Sequence, residues 1–102
     1  MMDIRKDKAI LALISKLEQS LGGKVFDIVD HWEADSCAIG IASKSDHRTL
    51  VYVGCYGCEE KHYSFACEVA DGEDVSEYKT VDEGECVPYD YLLKKVKIHL
   101  NL

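Results

Sequence analysis

Residues 49–70 read TLVYVGCYGCEEKHYSFACEVA, and this stretch decides the fold. Its two ends, Thr49 to Cys55 and Lys61 to Val69, are rich in aromatic and β-branched residues, which is typical of strands. The second segment alternates: Tyr63, Phe65, Cys67 and Val69 share one face, opposite His62, Ser64, Ala66 and Glu68. The residues between the segments are too few for a crossover helix, so we predict antiparallel neighbours.

The same two-residue period occurs upstream. Phe26, Ile28 and Trp32 share one face of a predicted first strand, and Cys37, Ile39 and Ile41 share one face of a second. Ser43 to Arg48 is the predicted loop before the third strand. Downstream, Asp71 to Asp74 predicts a turn, Ser76 to Val81 a short edge strand, and Asp82 to Glu85 a solvated loop. These short connections favour a meander.

Two amphipathic helices are predicted, one at each end of the chain. Apolar residues recur with a helical period from Asp3, the predicted N-cap, to Leu21, and Gly22-Gly23 supply the left-handed residue that ends many helices. Pro88 suits the first turn of the final helix. The predicted fold is α+β: an antiparallel four- or five-stranded β-meander flanked by an N-terminal and a C-terminal helix packed on one face. A length of 102 residues predicts a single domain over 1–102.

The chain is acidic, with 19 Asp and Glu residues against 12 Lys and Arg and a net charge of −7. Because nucleic-acid binding requires a basic footprint, we expect no nucleic-acid partner. A negative surface accelerates encounter with a positively charged protein, which favours a basic protein partner. Solubility alone is the simpler explanation of the same charge.

The apolar stretches are short. None approaches the roughly 20 residues that span a bilayer, and the N-terminal stretch lacks a small-residue cleavage site. We therefore expect no membrane partner and no export, and a cytoplasmic location. The five cysteines are then expected as free thiols.

The acidic loops carry tyrosines that suit a protein interface. The candidate contact residues are Tyr56, Glu59, Glu60, Glu73, Asp74 and Tyr78. Since no catalytic motif is present, the sequence favours a non-enzymatic protein-binding module, such as an acidic inhibitor or immunity-type protein that captures a basic partner. Leu50, Val51 and Tyr52 suggest a dimer surface on the sheet, so monomer and homodimer both stay open.

One alternative is a small zinc-binding domain organised by the turn Cys55-Tyr56-Gly57-Cys58. A Cys-x-x-Cys turn presents two thiolates to one tetrahedral ion, with His62 and Cys67 as the further ligands. Against this, no second paired motif exists, and Cys67 equally suits an apolar core position. No other cofactor is expected. A second alternative is an enzyme with an unrecognised pocket between the helices and the sheet.

Overall fold

A computed structural model describes residues 7–23, 25–29, 37–70 and 78–102. In this part of the chain the elements are α1 (Lys8–Leu21), β1 (Phe26–Ile28), β2 (Ala38–Ser43), β3 (Thr49–Gly54), β4 (His62–Ala70), β5 (Tyr78–Pro88) and α2 (Tyr89–Leu100). The strands form one antiparallel sheet in which each strand pairs with the next along the chain. The predicted α+β meander with a helix at each end is confirmed, and it has five strands.

Both helices cover the same face of the sheet. The register aligns Ile39 with Val53 and Val53 with Phe65, so these side chains point to one side. They form a single apolar cluster with residues of α1 (Ile10, Leu13, Ile14, Leu17) and of α2 (Tyr89, Leu92, Val96, Leu100). The helical periods read from the sequence therefore mark the faces that form the core.

The dimer surface suggested for β3 is wrong for two of its three residues. Leu50 and Val51 are both 0% exposed, and they lie on opposite faces of the sheet because they are adjacent in a strand. Tyr52 is half-buried. Neither Leu50 nor Val51 offers surface to a second copy of the chain.

The helix ends differ in detail from the prediction. The N-cap of α1 is Asp7, whereas Asp3 lies outside the described residues. Gly22 has a φ of 88°, so the glycine pair ends α1 in the left-handed conformation as predicted. Pro88 is the N-cap of α2 and precedes its first turn. Neither described helix is long and apolar enough to cross a membrane.

The last strand is longer than predicted. The expected loop from Asp82 to Glu85 belongs to β5, which continues to Pro88. The register against β4 shifts twice, once between Cys67 and Glu68 and once between Tyr63 and Phe65. Each shift inserts an extra residue into β5 and interrupts the side-chain alternation, which is why no two-residue period appears in its sequence.

Candidate functional site

The connection between β3 and β4 is built from two tight turns. The Cys58 N–H donates to the carbonyl of Cys55 at 3.1 Å, and Gly57 has a φ of 74°, which glycine adopts without a steric penalty. The His62 N–H donates to the Glu59 carbonyl at 3.1 Å. Tyr56, at the tip of the first turn, is 87% exposed. We call residues 55–61 the hairpin segment.

A disulfide between Cys58 and Cys86 ties the hairpin segment to β5, with the two Cα atoms 5.2 Å apart. The Cys86 N–H donates to Ser64 Oγ at 3.2 Å, and that oxygen lies 3.6 Å from Cys58 Sγ. Cys86 reaches the turn because it occupies the bulge between Gly84 and Val87, with a φ of 47°. The expectation that all five cysteines are free thiols is wrong for this pair.

The other three cysteines are thiols in different surroundings. Cys67 lies on the core face, and burial, with a smaller contribution from the Asp82 carboxylate, raises its pKa from 9.0 to about 11. The thiol of Cys37 donates to Asp7 Oδ2 at 3.0 Å. The carbonyl of Cys37 accepts the Cys55 N–H at 3.0 Å, which places Cys55 next to β2.

The four candidate zinc ligands do not lie together. The sulfur of Cys58 is bonded to Cys86, so zinc binding there requires reduction first. Cys67 lies about 17 Å along β4 from His62, at roughly 3.4 Å per residue. Within the ranges that the structure describes, no three His, Cys, Asp or Glu side chains are grouped to hold an ion. The zinc alternative stays a prediction for the reduced protein.

A cavity of about 450 Å³ separates α1 from the hairpin segment. Lys16 lines it from α1, and Cys55, Cys58 and His62 line it from the hairpin side. His62 Nδ1 lies 3.0 Å from the carbonyl of Glu60, so it donates, and in the neutral ring Nε2 carries the lone pair. The cavity therefore combines a thiol, a disulfide sulfur and a proton acceptor.

Tyr63, which is buried, also lines this cavity. Burial raises its pKa above the usual 10.0, followed by the influence of Cys55 and then of Tyr89 and Glu60. Its phenol therefore stays neutral at physiological pH. Tyr63 therefore lines the cavity with a polar but uncharged side chain.

The predicted contact residues divide into two groups. Tyr56, Glu59 and Glu60 lie together in the hairpin segment and are all exposed. Tyr78 pairs with Ala70 at the opposite end of β4, about 27 Å from His62 at 3.4 Å per residue, and its hydroxyl donates to the His47 carbonyl at 3.4 Å. Glu73 and Asp74 lie outside the described residues.

Sequence reasoning did not single out Ser64, Lys16 or the pairing of Cys86. An odd cysteine count shows that at least one thiol stays unpaired, but it identifies no partner. Lys16 reads only as the polar side of α1. The sheet register brings Cys86 to Ser64, and helix packing brings Lys16 to the cavity. Neither arrangement is visible in the local spacing of the sequence.

Comparison with known protein families, curated proteins and solved structures finds no match for this chain.

Proposed function

We propose that this protein is a non-enzymatic binding module that captures a basic protein partner. The contact surface is the exposed part of the hairpin segment, formed by Tyr56, Glu59 and Glu60, which we call the hairpin surface. The observation that carries the proposal is the 87% exposure of Tyr56 on a segment held by a disulfide.

Preorganisation is the first argument for this surface. Ordering a flexible loop on binding costs about 0.5–1.5 kcal/mol for each immobilised side chain, in addition to the backbone cost. The two turns and the Cys58–Cys86 disulfide order the backbone before a partner arrives. Tyrosine adds large contact area with few rotatable bonds, which is why it is common among the residues that dominate interface energies.

Charge is the second argument. Glu59 and Glu60 follow Tyr56 in the exposed hairpin segment, on a chain with a net charge of −7. Complementary charge increases association rates and discourages like-charged competitors. This combination suits an inhibitor or immunity-type protein that captures a basic toxin or nuclease. The comparison is one of physical requirements and not of family membership.

The test is site-specific photo-crosslinking with a benzophenone amino acid at position 56, and at exposed Tyr91 on α2 as the control position. The expected result is a basic protein crosslinked from position 56 and absent from position 91. Association of that partner with the variant Glu59→Lys, Glu60→Lys should slow at least tenfold. The variant Asp46→Lys, Glu83→Lys has the same net charge and should lose much less.

Two results would contradict the proposal. One is equal binding by the wild type and the hairpin variant, which would place the contact elsewhere. The other is an equal loss in both charge variants, which would make the attraction a property of the net charge and not of the hairpin surface. Circular dichroism of each variant shows whether the fold is kept.

A further inference from the structure

Two cysteines neighbour Cys58, one through a disulfide and one through a tight turn. It is bonded to Cys86, and the two Cα atoms are 5.2 Å apart. The hydrogen bond from the Cys58 N–H to the Cys55 carbonyl closes a β-turn, whose first and fourth Cα atoms lie within about 7 Å. This limit overlaps the Cα separations of about 4.4–6.8 Å that disulfides span, so the turn is compatible with a bond between Cys55 and Cys58. The Cys55 thiol donates to the Cys37 carbonyl at 3.8 Å and must rotate away from it to reach Cys58.

We propose that Cys55, Cys58 and Cys86 form a thiol–disulfide exchange site in which Cys58 changes its partner from Cys86 to Cys55. The Cys55 thiolate attacks Sγ of Cys58, and a bond forms between these two sulfurs. The bond from Cys58 to Cys86 breaks, and its electron pair leaves on the Cys86 sulfur. Cys55 loses one proton and Cys86 gains one, so the step consumes no oxidant and no reductant.

The cavity beside α1 gives solvent and small thiols access to this step. Cys55 and Cys58 both line it, together with His62, Lys16 and Lys61 and the carboxylates of Glu59 and Glu60. His62 lines the same cavity, and its Nδ1–H is held by the Glu60 carbonyl at 3.0 Å.

The two partners of Cys58 produce different surfaces. With Cys86 bonded, the hairpin segment is tied to the β5 bulge. With Cys55 bonded, the turn closes on itself, and the exposed Cys86 carries a thiol. That thiol is open to alkylating agents and to the disulfides of other molecules, whereas Cys67 is only 2% exposed. The exchange site does not depend on the proposed binding function.

The first experiment uses the full chain with Cys86→Ser, equilibrated in glutathione redox buffers and then alkylated for peptide mass mapping. The expected result is a disulfide joining Cys55 and Cys58 in at least half of the molecules, under buffers that fully oxidise Cys58 and Cys86 in the wild type. If both thiols stay reduced in a variant that keeps the native circular dichroism spectrum, the proposal is overturned.

The second experiment follows the wild type at pH 8 with a trace of free cysteine and an alkylating agent. A peptide that joins Cys55 to Cys58, together with alkylated Cys86, is expected to accumulate with time. Cys55→Ser should reduce alkylation of Cys86 at least tenfold, and Cys37→Ser, which removes a thiol outside the exchange site, should not. Equal alkylation of Cys86 in wild type and Cys55→Ser would show simple reduction and overturn the proposal.

Discussion

The two sides of β4 are held to their neighbours in different ways. Towards β3 the pairing is regular from Thr49 opposite Val69 to Gly54 opposite Ser64, and most β3 side chains are buried. Towards β5 the register shifts twice, and most β5 side chains are exposed or half-buried. That side carries a disulfide between Cys58 and Cys86 and an ion pair between Lys95 and Asp82 at 2.8 Å.

This contrast separates two sources of stability. Apolar burial holds the β2–β4 part of the sheet, where one cluster joins the sheet to both helices. Specific cross-links help to hold β5, which has less apolar surface to bury. A functional site suits the second region, because its geometry rests on a few contacts that chemistry can change.

The largest effect is expected from truncating the core. Leu92 of α2 is 0% exposed, and Leu92→Ala should reduce the free energy of unfolding by about 4 kcal/mol through lost burial and a cavity. Val81→Ala on β5, where the side chain is 53% exposed, should cost less than about 0.5 kcal/mol. Urea unfolding of both variants measures the difference. Similar losses would mean that β5 is held by burial after all.

Removing the disulfide tests the opposite region. Cys58 and Cys86 are separated by 28 positions, and the chain-entropy model assigns a loop of this length a contribution of about 3.6 kcal/mol. The double variant Cys55→Ser, Cys86→Ser, in which Cys58 has neither partner, should therefore unfold with a free energy lower by about that amount than Cys55→Ser under non-reducing conditions. A reductant should destabilise Cys55→Ser and the wild type by this amount and leave the double variant unchanged. If the wild type is insensitive to reductant, other contacts are sufficient to hold β5.

Alkaline pH should reveal the buried thiol on the core side. The pKa of Cys67 is raised to about 11 in the folded state from 9.0, so its contribution to stability is complete below pH 9 and is lost as the pH rises to 11. The loss is about 2–3 kcal/mol. Cys67→Val should reduce this part of the pH dependence, as measured by urea unfolding at pH 8, 9, 10 and 11. Parallel profiles for wild type and variant would contradict burial of this thiol.

Gly84 of β5 lies against the core. A Cβ atom added at Gly84 would lie 2.6 Å from Cε1 of Phe65, whose ring is 2% exposed. Gly84→Ala should therefore destabilise the fold by about 1–2 kcal/mol, because the ring must move. The double variant with Phe65→Leu should recover part of the loss. A neutral or stabilising Gly84→Ala would mean that β5 lies further from the core.

The contrast also explains what the sequence predicted. The periods of α1, β4 and α2 reflect apolar burial, which repeats along the chain and is visible in a single sequence. Asp82 to Glu85 resembled a loop because bulges and solvent exposure remove the apolar period from an edge strand. The turn that carries Tyr56 was predicted from the short Cys-x-x-Cys connection between two strands.

The pairing of Cys58 with Cys86 could not be predicted from such sequence patterns. Pairing with Cys86 depends on the register between β4 and β5 and on a bulge, and neither follows from the spacing of cysteines. Cys55 is nearer to Cys58 in the sequence, and a hydrogen-bonded turn joins the two residues. The sequence was therefore sufficient to locate the candidate site at its turn. The disulfide that links the turn to β5 could be identified only from the tertiary structure.

The smallest effect is expected from the ion pair between β5 and α2. The hydrogen bond from Lys95 is the main cause that lowers the pKa of Asp82, so the pair contributes stability above the unfolded-state pKa of that carboxyl and loses it as the pH falls through the folded value. Because both side chains are in contact with solvent, at 26% exposure for Lys95 and 41% for Asp82, the contribution should be small and screened by salt. A double-mutant cycle with Asp82→Asn and Lys95→Gln, measured at low and at 1 M salt, should give a coupling smaller than the effect of the disulfide, and it should vanish at high salt. A coupling that persists at 1 M salt would show that this cross-link is shielded from solvent, and the β5 side would then be less open than its exposed side chains indicate.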